Sequence, residues 1–291
     1  MKALSVVIVT YNSEPDIYEC LDALFAHNDI GEALEVIVVD NNSRDFAHMQ
    51  SELHRLYGDS VAVLSNTRNG GYGQGNNIGI RHASAPVVMI MNPDVRLDII
   101  SLQEIVGAFE NDVDLAMYGL RQLMMSRKRS LSFTYTNYSS PILRSIGTFI
   151  ANRYNWYNER TMCFAGACFC IRKAMFEQVG LFDEHIFLYG EENDIHYRLR
   201  TGIPTARFTY NPSMVYLHRC ENREFSEKSY LLQLESNCYL FRKQNRDPRR
   251  YLRIEACTLN IVRIMKLLTG TTGNLSIINQ KIALVRHYPL C

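Results

Sequence analysis

No stretch of this 291-residue chain approaches the roughly 18 consecutive apolar residues that a membrane-spanning helix needs, so no such span is expected. The amino end lacks the length and cleavage site of a signal peptide, since a single Lys2 precedes strand-like sequence, and a cytosolic protein is expected. Also missing is any Cys-x-x-Cys pair. The eight cysteines are scattered, a pattern of reduced, mostly buried thiols rather than of a disulfide scaffold. No three glycines fit the i, i+2, i+5 spacing of a dinucleotide fingerprint, and no Gly-Lys-Ser/Thr of a P-loop is present. With 47% hydrophobic and 21% charged residues and a net charge of +1, the chain is globular in composition and long enough for a full core.

Strand and helix patterns alternate through the first hundred residues. Leu4–Thr10 is β-branched and apolar and ends in Tyr11-Asn12-Ser13. Ser13 with Asp16 resembles a capping box and Pro15 suits a first helical turn, so a helix with Ile17, Cys20, Leu21, Leu24 and Phe25 on one face should follow. Residues 35–40 form the next expected strand, closing in Asp40. Residues 46–57 read as a helix, 61–64 as a strand and 76–83 as a helix, before an apolar strand over residues 87–91 of the kind covered on both faces. This order predicts a parallel sheet with right-handed crossovers. Further on, Ser101 and Glu104 cap a helix to about residue 111, and residues 115–120 and 168–172 read as strands. Residues 121–161, rich in Arg, Ser, Asn and Tyr, read as an extended, partly mobile insertion over the active face. Arg127, Lys128 and Arg129 within it either meet an anionic acceptor or are solvated charge.

The run ending at Met91 stops in Asn92-Pro93-Asp94. Pro93 has no N–H for a ladder bond, so pairing should end near Asn92 and leave the Asp94 carboxylate at a C-terminal strand edge, where open α/β sheets hold ligands. Asn-Pro-Asp is also ordinary turn chemistry, and other signals must decide. One is the glycine-rich stretch at residues 69–77, which either brings backbone N–H groups to a phosphate or forms a turn needing positive φ.

Val9-Thr-Tyr-Asn12, Val38-Val-Asp-Asn-Asn-Ser43, residues 69–77 and Met91-Asn-Pro-Asp94, in that order and spacing, resemble the nucleotide-sugar-binding half of family 2 glycosyltransferases. Asn-Pro-Asp in place of the usual D-x-D looks most like the rhamnosyltransferase branch. The resemblance runs over roughly residues 4–244. It implies that Thr10, Tyr11 and Asn12 hold the nucleotide, that Asp40 reaches its base, and that Asp94 binds a divalent cation, Mg²⁺ or Mn²⁺, on the donor diphosphate. Asn69, Gly70, Gly75, Asn76, Asn77 and Asn92 complete the expected donor side.

Carboxylates gather again at Glu191, Glu192 and Asp194, in the first turn of a helix that Gly202 would stop. There they complement the helix dipole, although the dipole does not explain why all three stand directly behind Phe187-Leu-Tyr189. The stretch resembles the family's second signature, Glu-Asp, any residue, Asp, whose second carboxylate is the general base. Position by position Glu192 is the base, Glu191 its neighbour, and Asp194 a structural or acceptor-binding partner. Glutamate at 192, where aspartate is commoner, reaches one methylene further, so Glu191 and Glu192 remain rivals. A base is needed because an acceptor hydroxyl is a poor nucleophile, and crowded carboxylates raise at least one pKa toward neutrality. His218, closing a short strand at residues 214–218, is structural by default; the resemblance makes it a metal ligand or diphosphate contact, which suits Mg²⁺ or Mn²⁺. Residues 236–243 read as a closing helix.

From Phe241 onward ten Lys and Arg residues stand against Asp247 and Glu255. Residues 249–268 interleave them with Tyr251, Leu252, Ile254, Ile261 and Leu268, a composition that suits an interfacial helix on an anionic membrane face and, equally, a helix packed on the catalytic domain. No nucleic-acid-binding motif accompanies the charge. The expected architecture is α/β and GT-A-like, with a mainly parallel central sheet flanked by helices. Residues 1–240 would be catalytic, split near residue 120 into donor and acceptor halves, and residues 241–291 a basic helical appendage. The expected activity is inverting transfer of a sugar to a hydroxyl of a saccharide or lipid-linked saccharide in cell-surface polysaccharide synthesis, with dTDP-rhamnose ahead of a UDP-hexose as donor. It would take place in the cytosol or peripherally on the inner face of the membrane. A nucleotide-sugar-binding protein without catalysis is the alternative of another class. The intact carboxylate at Glu192 opposes it, and donor hydrolysis without acceptor would exclude it. Nucleotidyl transfer would need an Arg-bearing glycine-rich loop after the first strand, which is missing.

Overall fold

In the computed structural model, which describes residues 1–136, 141–219, 225–270 and 273–289, alternating strands and helices build a sheet covered on both faces. Strand β1 (Leu4–Thr10) is flanked in parallel by β2 (Leu34–Asp40) and β4 (Val87–Met91), and β3 (Ala62–Ser65) extends the parallel set beyond β2. Val6 and Ile8 of β1 pack into one core and Val7 into the other, which is why residues 6–9 are apolar without a break. Helices α1 (Glu14–Ala26), α2 (Phe46–Tyr57) and α4 (Leu102–Asn111) cover the first face through Ile17, Leu53 and Ile105. Helices α3 (Tyr72–His82), α6 (Lys173–Gln178) and α7 (Glu191–Gly202) cover the second through Ile80, Phe176 and Ile195.

Past β4 the sheet becomes mixed. Strand β9 (Cys168–Arg172) enters antiparallel between β4 and β6 (Leu115–Met124), and β10 (Arg207–His218) runs parallel to β6. Strand β5 (Val95–Ile99), absent from the sequence reading, pairs antiparallel with β10 at the edge, so among the described residues the order is β3-β2-β1-β4-β9-β6-β10-β5. Because β5 starts at once after Asp94, residues 92–95 form a reversal between two strands, closed by the Val95 N–H on the Asn92 carbonyl (3.2 Å). His218, the register partner of Val95, reaches the same edge from β10.

Several local expectations are revised. The Ser13 side chain does not cap α1: its Oγ accepts the Tyr11 N–H (3.1 Å), and the Asp16 N–H finds the Ser13 carbonyl (3.1 Å) instead. Helix α3 begins at Tyr72, four residues early, so Gly73, Gly75 and Gly79 are helical and Gly71 (φ 91°) alone in this stretch takes the left-handed conformation. The helical glycines permit close approach, since a Cβ on Gly79 would stand 2.4 Å from Val7 Cγ1 and one on Gly75 2.7 Å from Val9 Cγ1. Tight packing against β1 thus outweighs their poor helix propensity. Residues 121–161 are not an unstructured insertion. Strand β6 runs on to Met124, and β7 (Phe133–Tyr135), α5 (Pro141–Tyr154) and β8 (Met162–Phe164) follow, with β7 and β8 antiparallel. Aromatic contacts of Phe133 with Tyr157 and Tyr210, at 5.4 and 5.0 Å, anchor this layer without a periodic apolar face, which is why the pattern was missed. Residues 137–140 of that stretch lie outside the described residues.

Helices α8 (Glu227–Lys243), α9 (Pro248–Leu268) and α10 (Leu275–Arg286) share a core of Tyr230, Leu234, Phe241, Tyr251, Leu252 and Val285. Asp247 caps α9 by accepting the Arg249 N–H (2.9 Å), with Pro248 in the first turn. The two readings of this segment divide along the helix: Tyr251 and Leu252 are buried, whereas Ile264, Met265, Leu267 and Leu268 are exposed. Among the described residues no helix is long and apolar enough to cross a membrane.

Candidate active site

Two strand ends form one rim. Thr10 and Asp40 are register partners, and Thr10 Oγ1 donates to Asp40 Oδ1 (3.1 Å). The same carboxylate accepts the Ser43 N–H (2.8 Å) and the Ser43 hydroxyl (2.5 Å), so fully buried Asp40 is held inside its own turn. Asn12 sits at φ 51°, a conformation asparagine tolerates. Its N–H donates to Ser43 Oγ (2.8 Å) and its Oδ1 accepts the Arg44 N–H (3.1 Å), stitching the β1 turn to the β2 turn. Tyr11 stands exposed on this rim.

The glycine-rich residues pack across β1 and β2 beside this rim, where Asn41 Nδ2 donates to the Gly71 carbonyl (2.9 Å). Asn69 Oδ1 accepts the Gly71 N–H (3.0 Å), making the turn through Gly70 into α3. Gly75, Asn76 and Asn77 are buried within the helix, where Asn76 Nδ2 donates to the Tyr72 carbonyl (2.9 Å). Asn77 donates to the Phe182 carbonyl (2.9 Å) and accepts the Phe182 N–H (3.0 Å). Asn77 thereby fastens α3 to the segment leading to α7, while the buried Asn76 Oδ1 has no hydrogen-bond donor among the described residues.

At the β4 edge, Asp94 Oδ1 lies 3.3 Å from His218 Nε2, and the Arg219 N–H donates to the Asp94 carbonyl (3.2 Å). Behind them Arg96 pairs with Glu19 (2.7 Å) and Arg219 with Asp16 (2.8 Å), an ionic layer that braces the turn. Asn92 Oδ1 is buried with no hydrogen-bond donor among the described residues. A carboxylate, an amide oxygen and an imidazole suit Mg²⁺ or Mn²⁺. Among the described residues no three His, Cys, Asp or Glu side chains cluster closely enough to hold a metal ion by themselves, so a cation here would need oxygens from a ligand.

Glu191 and Glu192 begin α7 behind two successive left-handed residues, Tyr189 (φ 72°) and Gly190 (φ 101°). Glu191 is buried, and burial together with the neighbouring Glu192 charge pushes its carboxyl well above the usual range. Burial also raises the Glu192 carboxyl, against the N–H groups of Glu192 and Gly190. Glu192 is partly exposed and, among the described residues, is the one carboxylate lining a cleft of about 390 Å³, whose other walls include Thr134, Arg144, Phe149, Asn193 and Asn237. Asp194 is turned away into ion pairs with Arg198 (2.7 Å) and Lys243 (2.7 Å), tying α7 to α8. The two acidic sites are joined by the turn between β8 and β9. Asn92 N–H donates to the Ala167 carbonyl (2.9 Å), Tyr72 Oη donates to the Gly166 carbonyl (2.7 Å), and a Cβ on Gly166 would stand 3.5 Å from Glu192 Oε2.

Three supports were not read from the sequence. Fully buried His196 donates from Nδ1 to the Glu192 carbonyl (2.7 Å), a group that only accepts, and its Nε2 accepts the Phe164 N–H (3.3 Å). Burial and nearby Arg200 push the His196 pKa down to about 3, consistent with this neutral tautomer. Its place four residues after Glu192 was the available signal. The wall from α5 belongs to the stretch read as an insertion over the active face, and Tyr72 to the glycine-rich motif, but their contacts with the site arise only through tertiary packing.

A sequence comparison matches residues 5–180 to the family described as glycosyl transferase family 2. The low-salt glycan biosynthesis hexosyltransferase Agl10 of Haloferax volcanii is 28% identical over 204 residues, which is 68% of this chain and 61%, less than two thirds, of that protein. Rhamnosyltransferase WbbL of Escherichia coli is 26% identical over 273 residues, 86% of this chain and 97% of that one. Among solved structures, the mannosyltransferase PcManGT from Pyrobaculum calidifontis, in complex with GDP-Man and Mn²⁺, has a TM-score of 0.60 at 16% identity, covering 100% of this chain and 77% of that one. At that identity the likeness shows the fold alone, an α/β GT-A-like arrangement.

Proposed function

The chain belongs to glycosyl transferase family 2, and on that premise we propose that it is a metal-dependent inverting glycosyltransferase acting from a nucleotide-sugar donor. Rhamnose from dTDP-rhamnose is the first donor and a UDP-hexose the second, in line with the likeness to a rhamnosyltransferase over nearly that protein's whole length. The observation that carries the catalytic reading is Glu192, among the described residues the one carboxylate lining the cleft, with a pKa raised by burial. Glu191, at 3% exposure, has no such access.

In this reading the donor lies along the rim made by Thr10, Tyr11, Asn12 and Asp40, with its diphosphate toward Asp94 and His218. A divalent cation held by those two side chains would neutralise diphosphate charge as it builds. Glu192 takes the acceptor hydroxyl's proton as that oxygen bonds to the anomeric carbon. The bond from that carbon to the diphosphate oxygen breaks, its electron pair leaves with the diphosphate, and in-line attack inverts the centre. His196 holds the Glu192 backbone, while Tyr72 and Gly166 fix the wall against which the carboxylate rests.

The acceptor is a hydroxyl of a saccharide or lipid-linked saccharide. Support for a lipid-proximal site comes from exposed Ile146, Phe149 and Ile150 on α5, which also lines the cleft, and from the exposed apolar end of α9 among basic residues. Peripheral contact with an anionic membrane face, and a catalytic unit of residues 1–240 followed by a basic appendage, belong to the same proposal. The test is thermal protection by a panel of nucleotide sugars with Mn²⁺. A cognate donor at 100 times its Kd adds about 2.7 kcal/mol, several degrees in Tm. A panel without any shift, together with no donor hydrolysis, would overturn the reading.

A further inference from the structure

Beside the cleft that holds Glu192 lies a second concavity of about 520 Å³, and Asn193 lines both. Among the described residues its wall carries three guanidinium groups, Arg160, Arg200 and Arg246, with Thr136 and Gln244, and no carboxylate. The arginines come from the segment before β8, the last turns of α7 and the turn between α8 and α9, so tertiary folding gathers them. Two are pre-positioned on aromatic faces: Arg200 lies over the Phe208 ring at 5.2 Å and Arg246 over the Phe241 ring at 4.1 Å. Stacking in this manner orients the planar fork, whose geometry suits phosphate, and Arg200 is fixed further by an Nη2 hydrogen bond to the Met162 carbonyl. Like charges gathered on one concavity raise the local potential and favour an anion there.

We propose that this concavity is a phosphate subsite for the acceptor, holding a phosphate or diphosphate group that the acceptor carries while its hydroxyl reaches Glu192 across Asn193. The link to the reacting hydroxyl rests on the glycosyl-transfer reading; the anion site itself does not. It is separate from the donor position, where the diphosphate faces Asp94 and His218.

The test is calorimetric titration of the full chain with inorganic pyrophosphate and, separately, with a glycerophosphodiester. It is run in EDTA, where the cation-dependent donor position is silent. Binding of at least one probe is expected, weakening with salt and falling at least tenfold in Arg160→Ala and in Arg246→Gln, with partial retention in Arg160→Lys. Arg160 is exposed, so its removal should leave the unfolding midpoint unchanged, and circular dichroism checks this. Preference for pyrophosphate would point to a diphosphate-linked acceptor and equal binding of the diester to a phosphodiester polymer; either supports the subsite. No binding of either probe, or equal binding by wild type and both neutral variants, would overturn it. Failure of the glycosyl-transfer reading would show separately, as a wild type that binds no nucleotide sugar in Mn²⁺.

Discussion

Replacing Glu192 by Gln keeps the shape of a side chain that lines the cleft and removes its capacity to take a proton. General-base assistance is typically about 10²–10⁴-fold, or roughly 2.7–5.4 kcal/mol of barrier, and Glu192→Gln should lose that much transfer while binding the donor as wild type does. Glu191→Gln should stay within about tenfold of wild type, because that carboxyl is buried behind Glu192. The pH profile separates the two further. Glu192 works ionised and its pKa is raised, so the wild-type rate should climb with pH through a value above 4.5 and then level. Glu191 still holds its proton while Glu192 ionises, because the Glu192 charge raises the Glu191 carboxyl, so Glu191→Gln should leave the acid limb where it is. Stability follows with a definite sign. Above 4.5 the unfolded chain has released the proton that folded Glu191 retains, so the folded state binds more protons and wild-type stability falls as pH rises through the folded pKa. Glu191→Gln should blunt that fall. Steady-state transfer, donor titration and thermal scans from pH 4 to 9 provide the readouts. Near wild-type turnover in Glu192→Gln with collapse in Glu191→Gln would reverse the two roles, and turnover in both would take the base away from this helix.

Asp94→Ala should abolish Mn²⁺-dependent donor binding with the fold intact; unchanged affinity with and without Mn²⁺ would remove Asp94 from the cation site. Gly107→Ala and Gly79→Ala should shift Tm in opposite directions. The first adds a Cβ with nothing within 4 Å and gains roughly 0.5–1 kcal/mol, whereas the second meets Val7 Cγ1 at 2.4 Å, where overpacking of about 1–3 kcal/mol exceeds the same gain. A rise in both would contradict the close packing of α3 on β1. Co-sedimentation with anionic vesicles should weaken steeply with salt, since each Lys or Arg near the surface contributes about 1 kcal/mol that salt screens. Equal pelleting with neutral and anionic lipid, or none with either, would leave the basic segment a packing element.

Read alone, the amino-acid order determined what local physics governs. Unbroken apolar runs marked β1, β2 and β4 because both faces of the sheet exclude water, and Ser101 announced α4 because its hydroxyl accepts the Glu104 N–H (3.1 Å) within one turn. Pro93 marked the end of β4 because it has no donor for the ladder. Tertiary structure alone decided which distant segments meet. Strand β9 enters antiparallel between β4 and β6, β5 pairs with β10, and the glycines after residue 71 serve a helix, because their cost in propensity is offset only once β1 is beneath them. Glu191 and Glu192 are neighbours in the same first helical turn, and their residue types do not tell them apart. One is buried and the other lines the cleft, because the orientation of α7 is set by the turn at Gly190 and by His196, and a side chain's access to water follows from what is packed around it rather than from its place in the chain.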